Sequence, residues 1–168
     1  MESLTVDIDG PVHYADHGGS GLPLLLIHGL AGSYLNWMSV ADRLAINHRV
    51  RALDLRGFGL TPLGRGQNSS LEANQALIEG FLEKVVGGPA ILLGNSMGGR
   101  LSLQVAASRP DLVSRLVLVD PAAPNPRLAG VDGMVIVAFA AMLAPAAEPY
   151  LRRRVRRMRA WNQSAARR

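Results

Sequence analysis

The sequence predicts an α/β fold, a mostly parallel sheet with helices on both faces. Two observations carry that prediction. Continuous apolar runs at residues 22–27, 90–94 and 116–119 suit strands buried on both faces of a parallel sheet. The stretches between them carry helical spacing and helix start and stop signals, and strands alternating with helices demand a parallel arrangement.

The elements follow in order. Residues 4–8 and 12–15 alternate as strands about an Asp9-Gly10-Pro11 turn, a hairpin signature. Gly18-Gly19-Ser20-Gly21 is a loop before the apolar strand that ends at His28-Gly29. Ser33 is placed to cap a helix over residues 34–44. Residues 49–55 form the next strand, followed by the turn Arg56-Gly57-Phe58-Gly59 and a polar loop through Asn68. Ser69-Ser70-Leu71-Glu72 offers a Ser-x-x-Glu capping box, and Leu71, Leu77, Ile78, Phe81, Leu82 and Val85 recur at helical spacing up to Gly87-Gly88-Pro89. A strand at 90–94, a helix at 97–108 stopped by Arg109-Pro110, and a strand at 116–119 complete the alternation.

At 168 residues, with 48% apolar and 18% charged residues, the chain is long and apolar enough for one globular domain with a real core. Zero cysteines exclude disulfides and thiolate metal sites. The start of the chain has neither a basic segment nor an apolar stretch of a signal peptide, so a cytoplasmic location is expected. The formal charge of +5 is a property of the last segment: residues 152–168 hold eight arginines and no acid, and the remaining residues hold ten basic and thirteen acidic side chains. A basic face for nucleic acid is not expected, since Trp161 is the lone aromatic in that segment.

The run Gly94-Asn95-Ser96-Met97-Gly98-Gly99, after a strand and before a helix, is a Gly-x-Ser-x-Gly nucleophile elbow. A serine hydroxyl is a poor nucleophile at neutral pH, so it must be exposed, deprotonated and faced by donors for the oxyanion. Glycine at 94 and 98 removes the Cβ atoms that would clash across so tight a turn, making Ser96 the candidate nucleophile. The N–H of Met97 and the N–H of Leu30, in the loop His28-Gly29-Leu30-Ala31-Gly32, are the candidate oxyanion donors. All four histidines, His13, His17, His28 and His48, precede the serine. His13, His17 and His48 read as surface histidines without metal-ligand spacing, so neither a metal nor a cofactor is expected. Asp54 reads as a brace for the glycine turn that follows it.

With those blocks in this order, the chain resembles the α/β-hydrolase fold superfamily, in its esterase, haloperoxidase and C–C hydrolase branch. The matching residues are Leu25-Leu26-Ile27-His28-Gly29, Asp54-Leu55-Arg56-Gly57-Phe58-Gly59, Gly94-Asn95-Ser96-Met97-Gly98-Gly99 and Arg115-Leu116-Val117-Leu118-Val119-Asp120. The resemblance implies that residues 1–126 are the N-terminal part of the hydrolase core and 127–168 a partial helical cap with an Arg-rich tail. It implies truncation after the sixth strand, with no counterpart of the strands that carry the family's catalytic acid and histidine. His28 and Gly29 would then shape the oxyanion loop, with Gly94 and Gly98 supporting the elbow. Asp120 stands where some relatives place the catalytic acid, and it can equally be a polar cap on the strand end.

The functional expectation is a serine hydrolase of ester or related acyl substrates acting through Ser96 on a small apolar acyl compound, impaired in this chain because its base is missing. A C–C bond hydrolase of ring-cleavage products is the alternative within the family, because Gly-Asn-Ser-Met-Gly-Gly is common in that branch. A serine at the elbow argues against dehalogenase and epoxide hydrolase chemistry, which use aspartate there. The non-enzymatic alternative is a pseudoenzyme or gene fragment binding an apolar ligand or partner. Residues 134–147 lack charge but are too short to span a bilayer. With an apolar helix expected at 131–143, the region reads as cap in preference to membrane-surface contact. The strand at 116–119 should be an open apolar edge, which predicts self-association.

Overall fold

The computed structural model describes residues 1–122 and 135–137. The chain divides into two compact units, Met1–Ala138 and Phe139–Arg168, and every described residue lies in the first. That unit is a sheet of order β1-β2-β4-β3-β5-β6-β7. The strands are β1 (Glu2–Asp7), β2 (Pro11–Gly18), β3 (Leu22–Ile27), β4 (His48–Leu53), β5 (Ala90–Asn95), β6 (Val113–Val119) and β7 (Val135–Val137). The hairpin β1–β2 and the pair β2–β4 are antiparallel, and β4, β3, β5, β6 and β7 run parallel.

Period-two alternation along the strands divides the core between the two faces. Leu25 and Ile27 of β3, with Leu53, Leu92, Leu116 and Leu118, join the face covered by α2 (Leu71–Phe81) and α3 (Met97–Ser108). Leu24, Leu26, Val50, Ala52 and Ile91 face the other way, against Trp37 and Ala41 at the start of α1 (Met38–Leu44) and the 3-10 turn before it. The fold class read from the sequence is therefore the observed one, and within the run at 22–27 residues Leu24–Ile27 are buried on both faces while Leu22 is exposed.

Helix starts follow their side chains. Ser33 caps the 3-10 turn Tyr34–Trp37 and forms a reciprocal box with Asn36, whose Oδ1 accepts from Ser33 N–H at 2.8 Å. The box expected at Ser69 and Glu72 is replaced: Ser70 is the cap of α2, its Oγ accepting from Ala73 N–H at 3.2 Å. The reason is local, because Asn68 Oδ1 already accepts the Ser70 N–H at 3.0 Å, and Glu72 instead meets the first-turn backbone and the Ser70 side chain, which lowers its pKa. Gly87 then ends the helical segment in the left-handed region, φ 76°.

Two expectations change at the far edge. Val135–Val137 is a strand inside the stretch read as helix, in keeping with the β-branched run Val-Ile-Val. It pairs with Leu116–Leu118, so the outer edge of β6 is covered there instead of open. The rest of the predicted helix at 131–143, the cap and the Arg-rich segment lie outside the described residues. Among the described residues no helix is long and apolar enough to cross a membrane.

From β3 the chain builds outward to β4 on one side, then crosses to β5 and β6 on the other. The crevice at the C-terminal ends of β3 and β5 is thus the topological switch point, where open α/β sheets place ligands. Gly29 follows β3 there and Ser96 follows β5.

Candidate active site

Ser96 is the single residue between β5 and α3, and its backbone sits at φ 50° and ψ −113°. A non-glycine residue at positive φ costs on the order of 1–3 kcal/mol and persists only where the surroundings impose it. They do so here from both sides. Ser96 N–H donates to Val119 O at 3.0 Å, and its carbonyl accepts from Ala122 N–H at 2.9 Å and Arg100 N–H at 3.1 Å. A Cβ on Gly94 would fall onto the Gly98 carbonyl, and one on Gly98 onto the carbonyls of Ile27 and His28, so both positions require glycine.

The loop after β3 closes against the elbow. Gly32 N–H donates to Gly29 O at 3.1 Å, making a turn whose central residues are Leu30 and Ala31, with Ala31 at φ 57°. That pattern does not use the N–H of Leu30. A Cβ built on Gly29 would lie 3.3 Å from Ser96 Cβ and 3.1 Å from Asn95 Oδ1, which measures how closely loop and elbow approach. Asn95 also donates from Nδ2 to Val119 O at 3.3 Å. Met97 begins α3, and its N–H belongs to the first-turn donors that a helix leaves unused.

His28 is wholly buried and both ring nitrogens are engaged. Leu55 N–H donates to Nε2 at 3.0 Å, which fixes Nε2 as acceptor, so Nδ1 carries the proton and donates to Gly29 O at 2.7 Å. Burial pushes its pKa below the ordinary histidine value, although the Gly29 carbonyl and the Asp54 charge pull the other way. His28 is therefore a neutral strut holding the Gly29 loop to the start of the Leu55 turn.

The remaining histidines correct the sequence reading, because His13 and His17 are not surface residues: they are 4% and 9% exposed. His13 Nδ1 bonds Asp54 Oδ2 at 2.7 Å, and its Nε2 lies 2.7 Å from Ser3 Oγ. His17 Nδ1 bonds Asp42 Oδ1 at 2.7 Å, and His48 Nδ1 donates to Leu44 O at 3.2 Å. The missed signal was nonlocal, since His13 and Asp54 stand at the ends of neighbouring antiparallel strands. Asp54 is the brace expected of it, accepting also from Tyr34 N–H at 2.6 Å and Leu60 N–H at 2.9 Å.

Asp120 follows β6 beside the elbow, exposed and at φ 42°. The register that pairs Asn95 with Val119 places it next to Ser96 along the sheet edge. A groove of about 260 Å³ lined by Asp9, Arg56, Gln67 and Leu77 shares no residue with the elbow. Ser96, Met97, Gly29, Leu30 and Asp120 thus stand at one end of the sheet; the rings of His13, His17 and His48 bond partners elsewhere, and that of His28 bonds the Gly29 carbonyl and the Leu55 N–H.

Comparison with known proteins agrees with this geometry. Residues 23–156 match the family model described as alpha/beta hydrolase fold. The chain is 36% identical over 114 residues to N-formylmaleamate deformylase of Pseudomonas putida, covering 68% of this chain and 42% of that protein. It is 38% identical over 104 residues to 2-hydroxy-6-oxo-2,4-heptadienoate hydrolase of the same species, covering 60% of this chain and 38% of that protein. A putative lipase from Acinetobacter baumannii superposes with a TM-score of 0.68 at 35% identity, covering 71% of this chain and 41% of that one. The chain spans less than half the length of these relatives.

Proposed function

The chain belongs to the alpha/beta hydrolase fold family, and on that footing we propose that Ser96 is the nucleophile of a serine hydrolase acting on ester or related acyl substrates. The observation that carries this reading is Ser96 held at φ 50° between β5 and α3 with the Gly29 loop packed against it. In the proposed reaction Ser96 Oγ attacks the substrate carbonyl carbon, and the N–H groups of Leu30 and Met97 receive the oxyanion. The helix start at Met97 adds a favourable field for that negative charge.

The proton acceptor is none of the four histidines in these residues, each of which bonds a different partner. His28 has no lone pair to offer, because Leu55 N–H occupies Nε2. The chain by itself is accordingly an impaired hydrolase, left with the ~10³- to 10⁴-fold acceleration that binding and oxyanion donors sustain without a base. Asp120 would serve as the acid only if a histidine were supplied between it and Ser96.

Added imidazole provides a test, since it can act as the absent base. Turnover of p-nitrophenyl butyrate should show a component that rises with imidazole and disappears in Ser96→Ala. Equal turnover by the two proteins at every imidazole concentration would overturn the assignment.

C–C bond hydrolysis of ring-cleavage products is the second reading, supported by Gly-Asn-Ser-Met-Gly-Gly and by the likeness to 2-hydroxy-6-oxo-2,4-heptadienoate hydrolase. Turnover of a 2-hydroxy-6-oxo-dienoate in the same imidazole assay, in preference to the ester, would favour it.

A further inference from the structure

Outside the elbow, the described residues contain an arrangement in which serine, histidine and aspartate are hydrogen-bonded in sequence. Ser3 Oγ lies 2.7 Å from His13 Nε2, and His13 Nδ1 lies 2.7 Å from Asp54 Oδ2. We infer that Ser3 is a second nucleophilic serine, activated by His13 and Asp54, which takes up an acyl or phosphonyl group from small activated electrophiles.

The order of contacts sets the protons. The Asp54 carboxylate accepts from Tyr34 N–H and Leu60 N–H as well as facing the ring, so it acts as an acceptor on every side. Nδ1 of His13 therefore carries the hydrogen, and Nε2 is left as the acceptor for the Ser3 hydroxyl. His13 and Asp54 are 4% and 0% exposed, which shields their pairing from water, whereas Ser3 is exposed to reagents. The base is buried and the nucleophile is accessible.

Backbone geometry supplies a donor as well. His13 gives its N–H to Thr61 Oγ1 at 2.9 Å and accepts the Asp54 N–H on its carbonyl at 3.1 Å, so both groups point to the β4 side. Its cross-strand partner Thr5 therefore turns its own N–H outward, and Ser3, two residues away on edge strand β1, does the same. A nucleophile's own N–H is one of the two oxyanion donors in serine proteases.

In the reaction, Ser3 Oγ forms a bond to the electrophilic carbon or phosphorus while its proton passes to His13 Nε2. With an ester the C–O bond breaks, and the leaving alcohol departs with that proton. With a fluorophosphonate the P–F bond breaks and fluoride leaves, the proton remaining on His13.

The test is exposure of the intact chain to a fluorophosphonate, followed by digestion and mass spectrometry of each serine peptide. The adduct on Ser3 should form about a hundredfold faster than on exposed Ser20 and Ser114, the advantage a positioned general base gives. It should persist in Ser96→Ala and fall to the reference rate in His13→Gln. The comparison within the unmutated chain does not depend on how His13→Gln folds. Labelling of Ser3 no faster than Ser20 and Ser114, or labelling that requires Ser96, would overturn the proposal.

Discussion

Leu55 donates its backbone N–H to Nε2 of His28 over 3.0 Å, inside the core. That bond ties the loop after β3 to the turn after β4 and removes the one lone pair through which His28 could take a proton. Replacing His28 by Ala would leave the Leu55 N–H buried without an acceptor, at a cost of about 1–3 kcal/mol in urea denaturation.

The same burial predicts a pH dependence. The pKa of His28 is lowered in the folded chain, so below its ordinary value of about 6.5 the unfolded chain binds the extra proton first. Stability from this group is complete above that pH and is lost as the pH falls through it, the slope following the excess of protons on the unfolded state. Denaturation curves from pH 8 to 5 should therefore show a decline that is smaller in His28→Asn. Parallel curves for the two proteins would contradict the assignment of a neutral His28.

Gly98 admits no side chain because its Cβ would meet two backbone carbonyls, which cannot rotate away. Gly98→Ala should lose at least about 2 kcal/mol, toward the upper part of what overpacking costs. A variant as stable as the parent would mean that elbow and β3 are not in contact.

Ser96 stores strain that glycine would release. Ser96→Gly should be more stable by about 1 kcal/mol, the relief of positive φ being partly offset by the greater freedom of glycine in the unfolded chain. It should also lose all reactivity attributed to that hydroxyl. Thermal melts of Ser96→Gly and Ser96→Ala separate the backbone effect from loss of the hydroxyl, since alanine does not relieve the strain.

Pairing at the sheet edge bears on association. Of β6, Leu116, Val117 and Leu118 are paired by β7, and Val113, Arg115 and Val119 lie beyond that register. Sedimentation velocity over a micromolar concentration series should show self-association that grows with concentration. A monomer throughout would mean that the edge is fully covered.

Much of the elbow's geometry was legible in the sequence because its determinants are local. Gly94, Ser96 and Gly98 stand within five residues, and the strand before and helix after them follow from apolar runs and from the stop at Arg109-Pro110. The bounds of β3 and α3 and the cap at Ser33 are read the same way. What escaped depends on pairing across the sheet. Nothing near His13 announces Asp54, which reaches it only through the β2–β4 register, and nothing near Ser70 shows that Asn68 would take the place of Glu72. Val135–Val137 sits in an apolar segment whose length suits a helix, and pairing with β6 selects the strand.

We propose that Ser96 occupies a built elbow and that no described side chain serves as its base. The direct measurement is the rate at which a fluorophosphonate labels Ser96, resolved by peptide mass spectrometry, with and without imidazole. Slow labelling that imidazole accelerates is the predicted result. Rapid stoichiometric labelling of Ser96 without imidazole would contradict it, showing that a group of this chain already accepts the proton.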